Sequence, residues 1–552
     1  MYVYSELDQQ LIDERVVQYR DQTRRYLAGE IPDEEFRILR LQNGLYIQRH
    51  APMLRVAINY GLLSSAQLRA LAKVSRDYDK NYAHFTTRQN IQFNWPALEA
   101  VPDILADLAK VQMHAIQTSG SCIRSVTSDH FAGVVEGEIE DPRPWSEIIR
   151  QWAALHPEFA YLPRKFKIAV TGCEQDRAAV QLHDIGVRLA RKASGETGFE
   201  ILVGGGLGRT PMIGKQIRKF LPQQDLLSYL EAILRVYNLL GRRDNKYKAR
   251  IKILVDALGA DAFRDKVEAE WLQIKDSELK LTQAEIDRVK GYFQPPAYAA
   301  DASADSSYAA KLASERDFAV WIERNSFAHK VPGYRAVTIT VKGLLKAPGD
   351  VTDAQMDAVA DLADRYNFGE IRSTHEQNLV FAHVNQADLY PLWQQLTELD
   401  LARPVVGTIQ DMIVCPGLDF CSLANAETLS VARQINEKFD NLDYLYELGE
   451  IKLKMSGCIN ACAHHHVGHI GILGVDKHGE SFYQFTLGGS STADASLGKV
   501  LGKSVPLADV ADTLEQILTL FVEIREEGER FIDTVRRVGN QPFKERVYAV
   551  AH

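Results

Sequence analysis

Residues 66–93, AQLRALAKVSRDYDKNYAHFTTRQNIQF, return as residues 354–381, AQMDAVADLADRYNFGEIRSTHEQNLVF, and this pairing decides how the fold is read. Ala66-Gln67 falls on Ala354-Gln355, Tyr78 on Tyr366, Thr86 on Thr374, Gln89-Asn90 on Gln377-Asn378 and Phe93 on Phe381, without a gap. Each copy reads as strand, helix, strand. An apolar run (Leu54 to Ile58, or Ala336 to Val341) precedes an amphipathic helix, and a second run follows at Asn90–Phe93 or Asn378–Phe381. A third apolar segment, Val101 to Leu108 or Leu389 to Leu396, closes each unit. That order is half of a ferredoxin-like α+β unit.

Working outward, a weaker repeat follows each copy. Phe166 to Cys173 matches Ile451 to Cys458, Asp184-Ile-Gly186 falls on His469-Ile-Gly471, and Val203-Gly-Gly205 nearly falls on Leu487-Gly-Gly489. Between the halves, from about 294 to 316, the chain turns to Gln, Pro, Ala, Ser and Asp with no large aliphatic run, the signature of a linker. At the N-terminus Leu7, Leu11, Ile12, Val16 and Tyr19 recur near helical spacing until Pro32 interrupts them. The expected division is an arm over 1–50, a ferredoxin-like half-domain over 51–115, an α/β domain over 116–293, a linker over 294–330, a second half-domain over 331–402 and a second α/β domain over 403–552. The fold class is therefore α+β, internally duplicated about a pseudo-twofold axis, and a site at the junction would use the halves unequally.

The chain has 552 residues, 46% hydrophobic and 25% charged, which suits a folded protein with a large core. A net charge of −9 argues against a general nucleic-acid binder, which needs a basic surface to displace counterions. No run of apolar residues is long enough to span a bilayer, and Met1 to Asp8 has neither a basic nor an apolar leader region, so a cytoplasmic protein without a membrane segment is expected.

Four of the six cysteines form two close pairs, Cys415-x5-Cys421 and Cys458-x3-Cys462. Four thiolates so arranged can hold a tetrahedral zinc or a [4Fe–4S] cluster. Five intervening residues are unusual for a zinc ribbon, and where a radical-type cluster would want a third close cysteine there is only His465. Cys122 and Cys173 stand alone and read as buried structural cysteines. Lys165 and Lys167 share one face of an extended segment. The run from Arg242 to Lys252 is the densest basic stretch, and by itself reads equally as a solvated helix face. His464-His465-His466 is assigned no role, because consecutive side chains diverge.

The cysteine spacings, Gly457 before the third cysteine and the duplicated layout together resemble the sirohaem and [4Fe–4S] sulfite and nitrite reductases, over almost the whole chain from about residue 40. Within that family the chain is most similar to the haemoprotein (β) component of assimilatory sulfite reductase. The resemblance implies that Cys415, Cys421, Cys458 and Cys462 hold the cluster and that Cys462 also bridges to the sirohaem iron. Only the second half would hold a cluster. Thr86-Thr-Arg88-Gln-Asn90 is similar to the family's strand offering an arginine to the substrate, and Cys122-Ile-Arg124 to the segment carrying a second. Leu162-Pro-Arg164-Lys165-Phe-Lys167 matches a family motif, so Arg88, Arg124, Lys165 and Lys167 would bind the anion and deliver protons. Arg250 and Lys252 would meet the tetrapyrrole carboxylates. Gly204 and Gly205, whose spacing fails the dinucleotide pattern, would let backbone approach the flat cofactor. The implied reaction is six-electron reduction of sulfite to sulfide, with electrons from a flavoprotein subunit or ferredoxin. Nitrite reduction to ammonia is the alternative within the family, and a non-catalytic metal-binding module the alternative outside it.

Overall fold

The computed structural model describes residues 1–299 and 306–549; residues 300–305 of the expected linker lie outside the described residues. The duplicated stretch forms the same local structure twice, for reasons written in its side chains. Helix Ser65–Tyr78 begins at a capping box in which Ser64 and Gln67 satisfy each other's backbone N–H, and helix Asp353–Tyr366 begins at the equivalent box of Thr352 and Gln355. The two glutamines do a second job as well: Gln67 Nε2 donates to the Val111 carbonyl at 3.0 Å and Gln355 Nε2 to the Leu399 carbonyl at 2.8 Å, tying each helix start to the end of its unit.

After each helix the sequence predicts one strand, and the structure has two. Tyr82–Phe85 and Ile91–Phe93 form a hairpin, as do Glu370–Ser373 and Leu379–Asn385. The Thr86–Asn90 segment, expected as strand, is the turn. Gln89 and Gln377 there adopt left-handed backbone, with φ 57° and 59°. Their side chains offset that strain by stitching the molecule together. Gln89 donates to the Ser373 carbonyl and accepts from Ser128 N–H, both at 3.0 Å, while Gln377 donates to the Phe85 carbonyl and accepts from Val414 N–H, again both at 3.0 Å.

The half-domains also exchange strands. The first sheet runs Leu45–Ile47, Pro52–Val56, Ile91–Phe93, Tyr82–Phe85 and then Asp350–Thr352, which belongs to the second half. The second sheet runs Ser326–Ala328, Tyr334–Ile339, Leu379–Asn385, Glu370–Ser373 and then Leu62–Ser64 of the first half. One continuous core results, with Leu68, Leu71, Phe85 and Phe93 packed in the same cluster as Val359, Phe381 and Trp321. Helices Ser306–Ser314 and Arg316–Asn325 occupy most of 306–325, and Phe318 and Trp321 of the second helix are fully buried in that core. At the N-terminus helices Glu6–Leu27 and Asp33–Gln42 meet at Pro32, the N-cap of the second, and Leu45–Ile47 joins the first sheet.

Each half-domain leads into an α/β lobe of matching topology. In the first, Thr127–Ser128, Ile168–Thr171 and Ile185–Arg191 run parallel, with Thr197–Val203 and Lys215–Pro222 antiparallel beyond them. In the second, Ile413–Val414, Leu453–Ser456 and Ile470–Lys477 are parallel, and Glu480–Leu487 returns antiparallel. Helices Leu226–Leu240 and Val510–Ile524 cover the sheets, each lobe having its own core. Among the described residues no helix is long and apolar enough to cross a membrane.

Candidate active site

Cys415 leaves the end of strand Ile413–Val414, and Cys458 leaves the end of the neighbouring strand Leu453–Ser456, so parallel pairing brings the two cysteine loops side by side. Gly457 N–H donates to Cys415 Sγ at 3.1 Å, and Asn425 N–H to the Gly457 carbonyl at 2.8 Å. Gly457 cannot be larger, since a Cβ there would lie 2.8 Å from the Ala426 carbonyl and 2.9 Å from Gly417 Cα. The N-terminal chain clamps the first loop from outside: Arg49 N–H donates to the Phe420 carbonyl and Ser422 N–H to Gln48 Oε1, at 3.2 and 3.1 Å. Thr87 Oγ1 donates to the Cys462 carbonyl at 2.7 Å, fixing the second loop to the first half-domain's turn.

The four thiols feel one another. Burial, then the nearby Cys462, pushes Cys415 up to about 12; burial raises Cys421 and Cys458 as well, with Cys462 acting on both. Such a setting disfavours bare thiolates and is relieved by cationic metal. Among the described residues no three Cys, His, Asp or Glu side chains converge on a single-ion site. Four thiols in mutual electrostatic reach are a donor set of the kind an iron–sulfur cluster takes.

Beside Cys462 stands a crowd of cations. Phe166 is fully buried and bridges to Ile123, so Lys165 and Lys167 on either side of it project together. Lys165 lies within electrostatic reach of Cys462, Arg124 and Arg250; burial, then Arg124, lowers it to about 7. Lys167 is held well below the ordinary lysine value by burial and then by Arg88 and Lys165. Arg88, anchored by Nη2 to the Ser125 carbonyl at 2.6 Å, is lowered to about 9 by burial and then by Arg124. Arg124 donates to the carbonyls of Thr118 and Gly120, so its position is set by backbone. The four expected cations and Arg250 thus form one group, poised for an anionic guest.

Lys252 and the glycines are held by contacts within the protein itself. Lys252 is 5% exposed, and its Nζ donates to the carbonyls of Gly206, Leu207 and Thr210, so it shapes the glycine loop from beneath. Gly205 is confined by the protein's own backbone: a Cβ would lie 2.3 Å from the Gln181 carbonyl and 2.6 Å from that of His183. Gly204, at φ 85°, packs against Val255. Of the other basic residues, Arg242 pairs with Asp244 at the surface, while Arg250 turns inward to Asp184.

Asp184 is the residue the sequence reading missed. Its carboxylate accepts Lys167 N–H at 2.9 Å and Arg250 Nε and Nη2 at 2.9 and 2.7 Å, and its side chain is 0% exposed. The signal was present in the repeat, where Asp184 stands opposite His469 and Arg88 opposite Glu376. The histidine run does diverge: His466 Nε2 reaches the Gly208 carbonyl at 3.0 Å, while His465 is fully buried with neither ring nitrogen bonded.

Comparison with known proteins finds two family models, each matching the chain twice. Residues 119–275 and 407–551 match the family described as "Nitrite and sulphite reductase 4Fe-4S domain", and residues 46–111 and 328–399 the "Nitrite/Sulfite reductase ferredoxin-like half domain". An assimilatory ferredoxin-dependent nitrite reductase of Haloferax mediterranei is 29% identical over 510 residues, covering 88% of this chain and 82% of that protein. A sulfite reductase [ferredoxin] of Mycobacterium tuberculosis H37Rv is 29% identical over 500 residues, with the same two coverages of 88% and 82%. The solved structure of the Mycobacterium tuberculosis NirA protein superposes with a TM-score of 0.77 at 27% identity, covering 93% of this chain and 92% of that one.

Proposed function

The chain belongs to the nitrite and sulphite reductase family, and from that premise we propose that it reduces sulfite to sulfide with electrons from a ferredoxin-type carrier. Its cofactors are those of the family, a sirohaem and a [4Fe–4S] cluster. When bound, these supply one-electron transfer and an iron that takes the anion through its central atom. The four cysteines would hold the cluster, Cys462 would lie toward the sirohaem, and Arg250 would face its carboxylates. The chain's own residues supply charge, position and protons.

The observation that carries the sulfite reading is the crowding of Arg88, Arg124, Lys165 and Lys167 with one internal carboxylate, Asp184, among them. Admitting an anion relieves their mutual repulsion, and a dianion relieves it more than a monoanion. Sulfite, once deprotonated, carries two negative charges and nitrite one. Arg88, tethered to Ser125, is placed to hold an oxygen. Lys165, lowered to about 7, can give a proton from Nζ at neutral pH and take another from solvent, as cleavage of each S–O bond to water requires. The ferredoxin donor is supported by the relatives, whose sulfite and nitrite reductases are both described as ferredoxin-dependent.

Nitrite is the second reading, carried by a nitrite reductase relative at the same 29% identity as the sulfite reductase relative. Competitive assays of both anions on one preparation decide between them. The expected kcat/KM for sulfite is at least about tenfold above that for nitrite, or about 1.4 kcal/mol of transition-state preference. An equal or reversed preference moves the assignment to nitrite reduction.

A further inference from the structure

The working cluster loops have counterparts in the first lobe, and the strand register identifies them residue by residue. Thr127 pairs with Ala169 as Ile413 pairs with Lys454. The turn beyond agrees, because Ala179 and His464 are both left-handed N-caps, of the short helices Val180–Leu182 and His465–Val467. The loop between agrees too: Ile139 N–H donates to the Gly172 carbonyl as Asn425 N–H donates to that of Gly457, both at 2.8 Å. Carried through, this register sets Asp129 on Cys415, Val135 on Cys421, Cys173 on Cys458 and Arg177 on Cys462.

Asp129 and Arg177 meet. Arg177 Nε donates to Asp129 Oδ1 at 3.0 Å, and Nη2 lies 2.6 Å from Oδ2, with the Asp129 side chain 0% exposed. Arg177 also stacks over the Phe131 ring, 5.6 Å from its centroid, and Cys173 Sγ turns to the Gly137 carbonyl. Next to them Asp176 accepts the N–H groups of Ala178 and Val180 at 3.0 and 2.9 Å, so the second loop is braced from within. The counterpart of the anion pocket is closed in the same manner: Glu376, opposite Arg88, pairs with Lys452 at 3.0 Å.

We propose that the first lobe contains a metal-free counterpart of the cluster site, in which the Asp129–Arg177 ion pair cross-links the two loops as the cluster does in the second lobe. A guanidinium where Cys462 has its sulfur repels iron, and Val135 offers no donor where Cys421 does. The first lobe therefore keeps its loop structure without iron, the second depends on iron, and each chain is confined to one reaction centre.

The test is hydrogen exchange by mass spectrometry on the full chain, as holoprotein and as protein produced under iron limitation, with iron content measured on both. Iron limitation should speed exchange in 413–428 and 455–470 by at least about tenfold, leaving 127–139 and 172–184 within about twofold. Arg177→Met in the holoprotein should do the reverse, opening 127–139 and 172–184 while iron per chain and the visible spectrum stay at the parent's values. Opening of all four segments together under iron limitation would overturn the proposal. So would an Arg177→Met protein that loses iron, or one whose first-lobe exchange is unchanged. If Arg177→Met does not accumulate, the wild-type comparison alone decides. A chain without iron under any condition would instead refute the cluster assignment, a separate failure read from the iron assay.

Discussion

Asp184→Asn removes one charge from the site and keeps the side chain's shape. The carboxylate has no solvent exposure, and Arg250, which it binds through two N–H···O contacts of 2.9 and 2.7 Å, is only 12% exposed. Taking one partner from a buried ion pair strands the other, at about 3–5 kcal/mol. The amide can still accept one hydrogen bond, so the lower end of that range is the expected loss, checked by urea unfolding of the holoprotein followed by circular dichroism. Function should suffer separately. Asp184 opposes the cations that depress Lys167, so its loss drives Lys167 further toward the neutral amine. Its acceptance of Lys167 N–H at 2.9 Å also fixes where that residue's backbone lies. One lost charge contact with the anion corresponds to a fall in kcat/KM of about 10- to 100-fold, or about 1.4–2.8 kcal/mol. Steady-state kinetics with a chemical reductant reads this directly. A stability loss under about 1 kcal/mol together with unchanged kcat/KM would refute the view that Asp184 organises the pocket.

Cys462→Ser should abolish both the cluster and the chlorin-type absorption, whereas Cys122→Ser should leave about five irons per chain and the spectrum intact; stoichiometric zinc in the parent would contradict the assignment. Lys165→Met and Arg88→Ala should keep the spectrum and lose sulfite turnover by about 10²-fold or more, and normal turnover in both would remove them from the pocket. Acid should destabilise the fold through His114, which is 6% exposed, has no partner at Nδ1 and is lowered to about 3 by burial and then by Arg150. Because its folded value lies below the unfolded one of about 6.5, stability is complete above that pH and is lost as pH falls toward 3. Between pH 7.5 and 5 this one residue accounts for about 2 kcal/mol, which His114→Gln should abolish in urea midpoints measured at both pH values.

Much of the architecture could be read from the chain because duplication is a pattern along the sequence. The Ala-Gln and Gln-Asn pairs recur since each copy needs the same capping box and the same two stitches across the turn. The two close cysteine pairs were equally open to reading as a candidate ligand set, because each pair lies within a short stretch of chain. The hairpins at Tyr82–Phe93 and Glu370–Asn385 were not, since left-handed Gln89 and Gln377 look like ordinary strand residues until their side chains are seen to hold the turn.

What the sequence determined by itself was therefore the doubled fold, a property of repeated order, together with which cysteines and cations to suspect. Only the tertiary structure decided how the halves are joined and what each charge faces. Strands Leu62–Ser64 and Asp350–Thr352 cross to the opposite sheet. Arg250 finds Asp184, and Lys252 finds the glycine loop's carbonyls. A buried charge is defined by its partners, and here those partners lie tens to hundreds of residues away, where no local pattern records them.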